Sequence, residues 1–209
     1  MQPAGPLHGA GPEAAPAPAA APARIALLYA PRTAVIVGGI PGAGKSTLLA
    51  RVVRDGDARV LDSAEIRDRC RARLGAAVPY ALHRPIVHAV HQWRVWRALG
   101  AGGPVVVHDC ATRAWLRRLM LARARRAGRP VCLLLLHVEG EVARSGQHAR
   151  GRRVRARAMR RHERRWRRLV TPQRPARPAA AVLGEGFDEV LVLDRAGADA
   201  VRRMRFGRR

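Results

Sequence analysis

The nine residues Gly39-Ile40-Pro41-Gly42-Ala43-Gly44-Lys45-Ser46-Thr47 match the pattern G-x-x-x-x-G-K-[ST], which is that of the phosphate-binding P-loop. The apolar, β-branched residues 34–37 precede this motif and predict a buried strand. Apolar residues recur behind it at the spacing of a helix, at Leu48, Leu49, Val52 and Val53. A P-loop requires a strand before it and a helix after it, so the context supports the motif.

The residue types of the motif suit phosphate binding. Its glycines permit backbone angles that a Cβ disfavours, so backbone N–H groups can point at phosphate oxygens near the positive end of the following helix. Lys45 is expected to reach the β- and γ-phosphates, and Ser46 to bind Mg²⁺. Lys45 is the only lysine, and the other 39 basic residues are arginine, whose planar guanidinium is too wide for this position. The predicted phosphate-binding residues are Gly39, Pro41, Gly42, Ala43, Gly44, Lys45, Ser46 and Thr47.

The bulk composition restricts the class of protein. A length of 209 residues suits one α/β domain with a sizeable core. No run of 18 or more apolar residues is present, so we expect no membrane span. The N-terminal residues show no basic start followed by an apolar core, so we expect no secretory signal. Cys70, Cys110 and Cys132 form no C-x-x-C pair, which favours reduced thiols in the cytoplasm. The net charge of +25 indicates either a polyanion partner such as nucleic acid or a compositional bias towards arginine.

The chain is expected to divide into a tail and a domain. Residues 1–23 are mostly Ala, Pro and Gly and bury too little apolar surface to offset their ordering entropy, so we expect disorder there. The domain spans residues 24–209, and residues 24–29 are expected to pack on it as a short lead-in. Its predicted strands are residues 34–37, 58–62, 104–109, 131–138 and 189–194. We expect a mostly parallel sheet in the order 2-3-1-4-5 with helices on both faces.

Carboxylates follow two of these strands. Asp62 ends the second strand, Ser63 is expected to cap the next helix, and Glu65 lies in its first turn. Residues beyond the carboxyl ends of parallel strands line the ligand crevice, so Asp62 is placed to face the γ-phosphate as a general base. Arg67, on the same helix, could contact an acceptor. The alternatives are a capping role for Asp62 and a solvated helix face for Arg67.

Asp109 ends the third strand after three valines, in the pattern of a Walker B strand. We expect its carboxylate to hold Mg²⁺ together with Ser46, or to orient the acceptor hydroxyl.

Residues 84–99 predict a helix that Pro85 opens at its first turn. Its expected apolar stripe consists of Ile86, Val90, Trp93 and Leu99. His83, His88 and His91 are interpreted as helix surface or as the lining of a substrate pocket, since no cysteine or carboxylate accompanies them to form a metal site.

An arginine-dense stretch interrupted by glycines follows the fourth strand. Phosphoryl transfer needs cations over the γ-phosphate, and a mobile lid, here around residues 140–155, can supply them. Arg144 and Arg150 are candidates for catalysis, and Arg152 for nucleotide binding. A solvated basic helix is the alternative for each of them in a chain so rich in arginine.

With a P-loop after its first strand and an arginine-rich lid after its fourth, the chain resembles the small P-loop kinases of the polynucleotide-kinase, zeta-toxin and gluconate-kinase group, over about residues 32–195. The resemblance implies a P-loop NTPase three-layer sandwich, with ATP and Mg²⁺ as cofactors. It implies these roles: phosphate and metal binding by Lys45 and Ser46, a base at Asp62, acceptor or metal binding at Asp109, and a phosphate clamp of Arg144 and Arg150.

One departure from the group affects the base. Phage-type polynucleotide kinases carry it in a D-x-x-R pattern, whereas Ala64 stands three residues before Arg67 in this chain. Either Asp62 or Glu65 could therefore be the base. The acceptor-binding region matches no single member of the group.

Two classes of function follow. The first is an ATP-dependent kinase that phosphorylates a hydroxyl of a nucleic acid, a nucleotide sugar, a sugar acid or an antibiotic. The second is a nucleotide-dependent switch that hydrolyses ATP slowly and binds nucleic acid through its basic surface. The sequence shows no recognisable nucleic-acid-binding module or platform of stacking aromatics, and aromatic residues make up only 4%. The intact Lys45 and Ser46 argue against an inactive nucleotide-binding relative.

Overall fold

A computed structural model describes residues 24–75, 78–148, 156–171, 174–178, 182 and 184–207. The strands are β1 (Ile25–Tyr29), β2 (Ala34–Gly38), β3 (Arg59–Leu61), β4 (Val105–His108), β5 (Val131–Leu136), β6 (Val170–Thr171), β7 (Arg174–Pro178), β8 (Glu189–Leu193) and β9 (Val201–Phe206). The helices are α1 (Lys45–Val52), α2 (Ser63–Leu74), α3 (Tyr80–Gly100), α4 (Ala114–Arg126), α5 (Gly140–His148), α6 (Ala156–Trp166) and α7 (Arg195–Ala200). No helix in these ranges combines the length and apolarity needed to cross a bilayer.

The fold is organised by a five-stranded parallel sheet in the order β3-β4-β2-β5-β8. These are the five strands predicted from the sequence, and in the numbering used there their order is 2-3-1-4-5. The chain numbers differ because an additional strand, β1, precedes them and two more lie between the last two. Every residue of β2 and β5 is buried, as expected when helices cover both faces of a parallel sheet. The predicted α/β sandwich is therefore confirmed.

Residues near the two ends of the described chain form a second, smaller sheet. The lead-in predicted at residues 24–29 does pack on the domain, but as strand β1, which pairs in parallel with β9. The rings of Tyr29 and Phe206 lie 5.7 Å apart at the end of this pair. A further antiparallel pair, β6 with β7, lies between β5 and β8 in the chain and is not among the predicted strands.

The prediction for α3 was wrong in its start and in its buried face. The helix begins at Tyr80, so Pro85 lies inside it, and Pro79 takes the capping position. Ile86 and Trp93, expected in the core, are each 57% exposed. Val90 is 38% exposed, and of the predicted stripe only Leu99 is buried. The other residues of α3 that face inward are His83, Val87, His91, Val95 and Ala98. His91 can occupy this face because that part of α3 borders a cavity, described below.

A buried arginine closes the far end of α3. The guanidinium of Arg129 is 3% exposed and donates hydrogen bonds to four backbone carbonyl oxygens. Their residues are Arg32, Ala98, Ala101 and Gly103. The last carbonyls of a helix lack intrahelical donors, and Arg129 adds a donor to the Ala98 carbonyl, which also accepts from the N–H of Ala101. The other three carbonyls lie outside the helix. The loop that leads from α3 into β4 is thereby tied to the base of the sheet.

Candidate active site

The predicted P-loop joins β2 to α1 and has the expected backbone. Gly42 and Gly44 adopt φ angles of 93° and 90°, in the region that residues with a Cβ avoid. A Cβ built on Gly42 would lie 2.0 Å from the carbonyl oxygen of Ala143 in α5. Glycine is thus required here both for the backbone angle and for the close approach of a neighbouring helix.

Helix α5 lies directly on the P-loop. A Cβ on Gly146 would come within 2.8 Å of the carbonyl oxygen of Gly42. Gln147 fixes the contact, since its Nε2 donates a hydrogen bond to the carbonyl oxygen of Pro41 at 2.8 Å. Small residues at positions 42, 143 and 146 permit this approach. The predicted lid therefore begins as a helix packed against the phosphate-binding loop.

The ammonium group of Lys45 spans the loop from the inside. Its Nζ donates to the carbonyl oxygens of Gly39 at 2.7 Å and Ile40 at 3.2 Å, and the residue is only 6% exposed. Charged phosphate oxygens are stronger acceptors than neutral carbonyls, so an incoming nucleotide would compete for the same protons. Ser46, the next residue, is exposed at the start of α1.

Two cavities flank the loop and share Gly42, Gly44 and Gly146 in their walls. The first, of about 430 Å³, is lined by residues of α1, α5 and α7, including Thr47, Arg51 and Val142. The second, of about 240 Å³, is called the inner cavity. Its walls are Pro41, Gly42, Gly44, Lys45, Ser46, Ser63, His88, His91, His108, Asp109, Cys110, Gly146 and Gln147. The P-loop therefore separates two spaces, and Lys45 and Ser46 face the inner one.

Asp62 lies just behind the wall of the inner cavity. It is the N-cap of α2 in place of the predicted Ser63, and its Oδ1 accepts from the N–H of Ala64 at 2.9 Å. Its Oδ2 lies 2.8 Å from Nδ1 of His108, which is part of the cavity wall. Burial acts to raise the pKa of Asp62, but His108 and the Ala64 N–H outweigh it and lower this pKa to about 2. Asp62 is accordingly an ionised carboxylate at neutral pH.

The alternative base, Glu65, points elsewhere. Its two carboxylate oxygens contact Arg69 at 2.6 Å and Arg94 at 2.9 Å, so it ties α2 to α3. Nε of Arg67 contacts the carboxylate of Asp68 at 3.1 Å. Neither Glu65 nor Arg67 belongs to the wall of the inner cavity as described. Of the two candidates for the base, only Asp62 contacts a residue of the wall.

Asp109 directly follows β4, and a backbone hydrogen bond fixes its carboxylate. Its Oδ1 accepts from the N–H of Ala111 at 2.7 Å, and Ala111 has a positive φ of 53°, which is uncommon for a residue other than glycine. The carboxylate and the Ser46 hydroxyl border the same cavity. Mg²⁺ takes few protein oxygens and completes its shell with phosphates and water, so this pair of hard oxygen donors fits it. In the described part of the chain, no cluster of three or more His, Cys, Asp or Glu suits a metal without phosphates.

Of the three candidate arginines in the predicted lid, only Arg144 lies within the described residues. Nη1 of Arg144 contacts Glu163 of α6 at 3.1 Å, and the Arg144 side chain is 54% exposed. It is therefore engaged away from the loop in this conformation. Arg150 and Arg152 lie outside the described residues.

Three residues at the site were not predicted from the sequence to belong to it. His108 and Gln147 line the inner cavity, and His162 of α6 reaches the same region, with its Nδ1 3.3 Å from the Thr112 hydroxyl. Burial, with the charge of Lys45 next in weight, lowers the pKa of His162 to about 4. His88 and His91, interpreted as surface or pocket lining, do line the cavity. Their i, i+3 spacing placed them on one face of the helix, but the sequence did not show which way that face points.

The fold and this site define a P-loop nucleotide-binding protein with a kinase-like architecture. The model of the AAA domain family matches residues 35–173, more than half of the chain, and the chain belongs to this family. No curated protein matches the chain in sequence.

Solved structures extend the likeness at the level of the fold. A gluconokinase from Sinorhizobium meliloti 1021 is similar over 82% of this chain and 93% of its own, with a TM-score of 0.50 and 14% identity. A structure from the PezAT chromosomal toxin-antitoxin system of Streptococcus pneumoniae is similar over 82% of this chain and 77% of its own, with a TM-score of 0.59 and 14% identity. At such identities the likeness concerns the fold.

Proposed function

We propose that the protein is an ATP-dependent kinase that transfers the γ-phosphoryl group to a hydroxyl of a small acceptor. One observation carries the proposal: Lys45 and Ser46 border an inner cavity whose wall also includes His88 and His91. These histidines lie on α3 and have no part in the P-loop. A nucleotide held on the loop would thus have its nucleoside towards the larger cavity and its γ-phosphate towards the inner one. Such a second space is what a phosphate acceptor requires.

The P-loop residues would hold and polarise the nucleotide. Lys45 is positioned to exchange its two carbonyl bonds for phosphate oxygens, and the loop N–H groups would bind the rest of the polyphosphate. Ser46 and Asp109 would hold Mg²⁺, which when bound neutralises charge on the β- and γ-phosphates. Catalysis would then rest mainly on positioning and charge stabilisation, as is usual in phosphoryl transfer.

The proton of the acceptor hydroxyl would pass to the pair formed by Asp62 and His108. Asp62 is the base predicted from the sequence, and its contact with His108 connects it to the cavity. The lowered pKa of Asp62 keeps its carboxylate ionised at neutral pH. Arg144, Arg150 and Arg152 remain the predicted clamp on the phosphates. For Arg144 this role requires that its contact with Glu163 be broken.

A transfer assay tests the proposal. The protein is incubated with Mg²⁺ and ATP labelled in the γ-phosphate, together with a panel of sugars, sugar acids, aminoglycosides, nucleosides and an oligonucleotide with a free 5′-hydroxyl. We expect labelled acceptor from the wild type and none from Lys45→Ala. Because that variant loses the P-loop cation, its ATP affinity should also fall in calorimetry. Equal turnover by wild type and Lys45→Ala would contradict the proposal.

One observation favours a second candidate, a nucleotide-dependent switch that binds single-stranded nucleic acid. Trp93, Trp96 and Trp115 are partly exposed along an apolar groove between α3 and α4. The guanidinium of Arg97 lies 4.9 Å from the Trp93 ring centre, and that of Arg123 lies 5.2 Å from Trp96. Exposed aromatics beside arginines can stack with bases. Free phosphate release that rises with added RNA, without labelled acceptor, would favour the switch.

The predicted location is the cytoplasm. Cys70, Cys110 and Cys132 are all free thiols, which is consistent with a reducing compartment.

A further inference from the structure

The wall of the inner cavity carries little positive charge for so basic a protein. The chain has 39 arginines, yet none of those in the described ranges lines this cavity. Its single cationic side chain within those ranges is Lys45, which the phosphates of a nucleotide would occupy. Asp109 adds a carboxylate to the wall, and Asp62 lies behind it against His108. An anionic acceptor would therefore meet like charge and no guanidinium in this part of the chain.

Three arginines of α3 and of the start of α4 lie near the cavity, and one of them contacts a residue of its wall. Nε of Arg84 donates to Nε2 of His88 at 3.3 Å, on an exposed part of α3. Arg113 is exposed at the start of α4. Arg94 is engaged by the carboxylate of Glu65. None of these three arginines belongs to the wall of the inner cavity.

Three residues of the cavity wall, His88, His91 and Gln147, carry uncharged hydrogen-bonding groups. His91 is 2% exposed, and its Nε2 has no hydrogen-bond partner among the described residues. Burial lowers the pKa of His88 and of His91, so both imidazoles are neutral near pH 7. Gln147 adds an amide to the wall. A buried polar atom without a partner costs stability, which makes His91 a candidate contact for a ligand that brings its own hydrogen-bonding group.

The size of the cavity limits what fits. Pockets for drug-sized ligands usually measure about 300–1,000 Å³, whereas the inner cavity measures about 240 Å³. A polymer or a nucleotide would not be enclosed there.

We propose that the inner cavity takes a small, uncharged polyol or sugar as the phosphate acceptor, and that His91 recognises one of its hydroxyl groups. This inference rests on the proposed kinase function. In the balanced reaction, an acceptor hydroxyl oxygen forms a bond to the γ-phosphorus of ATP while the bond to the bridging oxygen breaks. ADP leaves, and the hydroxyl proton is released to the Asp62–His108 pair and then to solvent.

The test compares matched acceptors that differ in charge. Glycerol, ribose and glucose are each assayed against glycerate, ribose 5-phosphate and glucuronate, with ATP labelled in the γ-phosphate. We expect at least one neutral compound to be labelled with a kcat/KM at least about tenfold above that of its anionic partner. Equal or better use of the anionic partners would overturn the inference.

A second result would also overturn it while leaving nucleotide chemistry intact. If Lys45-dependent release of phosphate from ATP occurs and no neutral compound is labelled, the acceptor class is wrong. If neither transfer nor Lys45-dependent phosphate release occurs, the proposed function itself fails. The two failures are thereby distinguished.

Substitutions on α3 test the role of His91. His91→Gln should raise the KM for the neutral acceptor about 10- to 100-fold, with a much smaller change in the KM for ATP. His83→Gln is the matched control, because His83 is also buried on α3 with an unpartnered Nδ1 but does not line the cavity. The same KM change in His83→Gln would mean that the effect is structural and would overturn the role of His91. If His91→Gln fails to fold, His88→Gln at the exposed end of the same wall replaces it.

Discussion

Replacing Asp62 by asparagine removes a charge but keeps the shape of the side chain and the oxygen that caps α2. The fold lowers the pKa of this carboxyl from 3.8 to about 2. A group whose pKa is lower in the folded chain stabilises the fold at every pH above its unfolded value, by about 1.4 kcal/mol for each unit by which folding lowers that pKa. Asp62 therefore contributes about 2 kcal/mol at neutral pH, and Asp62→Asn should lose most of it.

Urea unfolding across a pH series measures this loss. The stability difference between wild type and Asp62→Asn should stay constant from about pH 8 to about pH 5. It should shrink as the pH falls through about 4 towards 2, because protonation then removes the charge from the wild type as well. Asp62→Ala is the control for the cap and should cost about 1 kcal/mol more. In a His108→Asn background, Asp62→Asn should cost clearly less, since the partner is already absent.

The same variant tests the proposed base. The kcat of Asp62→Asn should fall by about 10² to 10⁴, while its affinity for ATP stays close to that of the wild type. Glu65→Gln should keep most of its activity, because Glu65 contacts Arg69 and Arg94 and not the cavity wall. The reasoning is refuted if Asp62→Asn is as stable and as active as the wild type. A crippled Glu65→Gln beside a normal Asp62→Asn would move the base to Glu65.

Four further substitutions probe the metal site and the lid. Asp109→Asn should raise the Mg²⁺ concentration needed for half-maximal activity, as measured by a Mg²⁺ titration, because a charge next to the metal is lost. Gly146→Ala should weaken ATP binding in calorimetry by about tenfold, since its Cβ would press on the carbonyl of Gly42 in the loop. Arg144→Ala should lower kcat far more than ATP affinity, whereas Glu163→Gln, which frees Arg144, should not lower kcat. Equal kinetic losses in the last two variants would assign the pair a structural role.

The central sheet could be predicted because its determinants are local. Each strand is a short apolar run, and a helical stretch between successive strands makes parallel pairing the natural outcome. The P-loop is likewise a contiguous motif, so Gly42, Gly44 and Lys45 have the predicted backbone and position. No local sequence pattern predicts that β1 pairs with β9. Their residues are about 175 positions apart in the chain and meet only after the domain has formed.

The site was harder to predict because it depends on the rotation of helices. A shift of the start of α3 from Arg84 to Tyr80 accompanies a different buried face, in which His91 and not Trp93 faces inward. Asp62 was placed correctly at the end of β3. Its contact with His108 joins β3 to the neighbouring strand β4, and neither strand's own sequence predicts this contact. Whether Asp62 or Ser63 caps α2 likewise depended on the point at which the strand ends.

The single lysine of this chain also makes it a convenient subject for protein chemistry. Amine-reactive reagents attack side chains only at lysine, so apart from the terminal amine they have one target, Lys45. Because this amine is buried and bonded to two carbonyl oxygens, its modification should be slow and should report on opening of the P-loop. A mass spectrum taken over time, with and without ATP, would then follow occupancy of the loop without any knowledge of the acceptor.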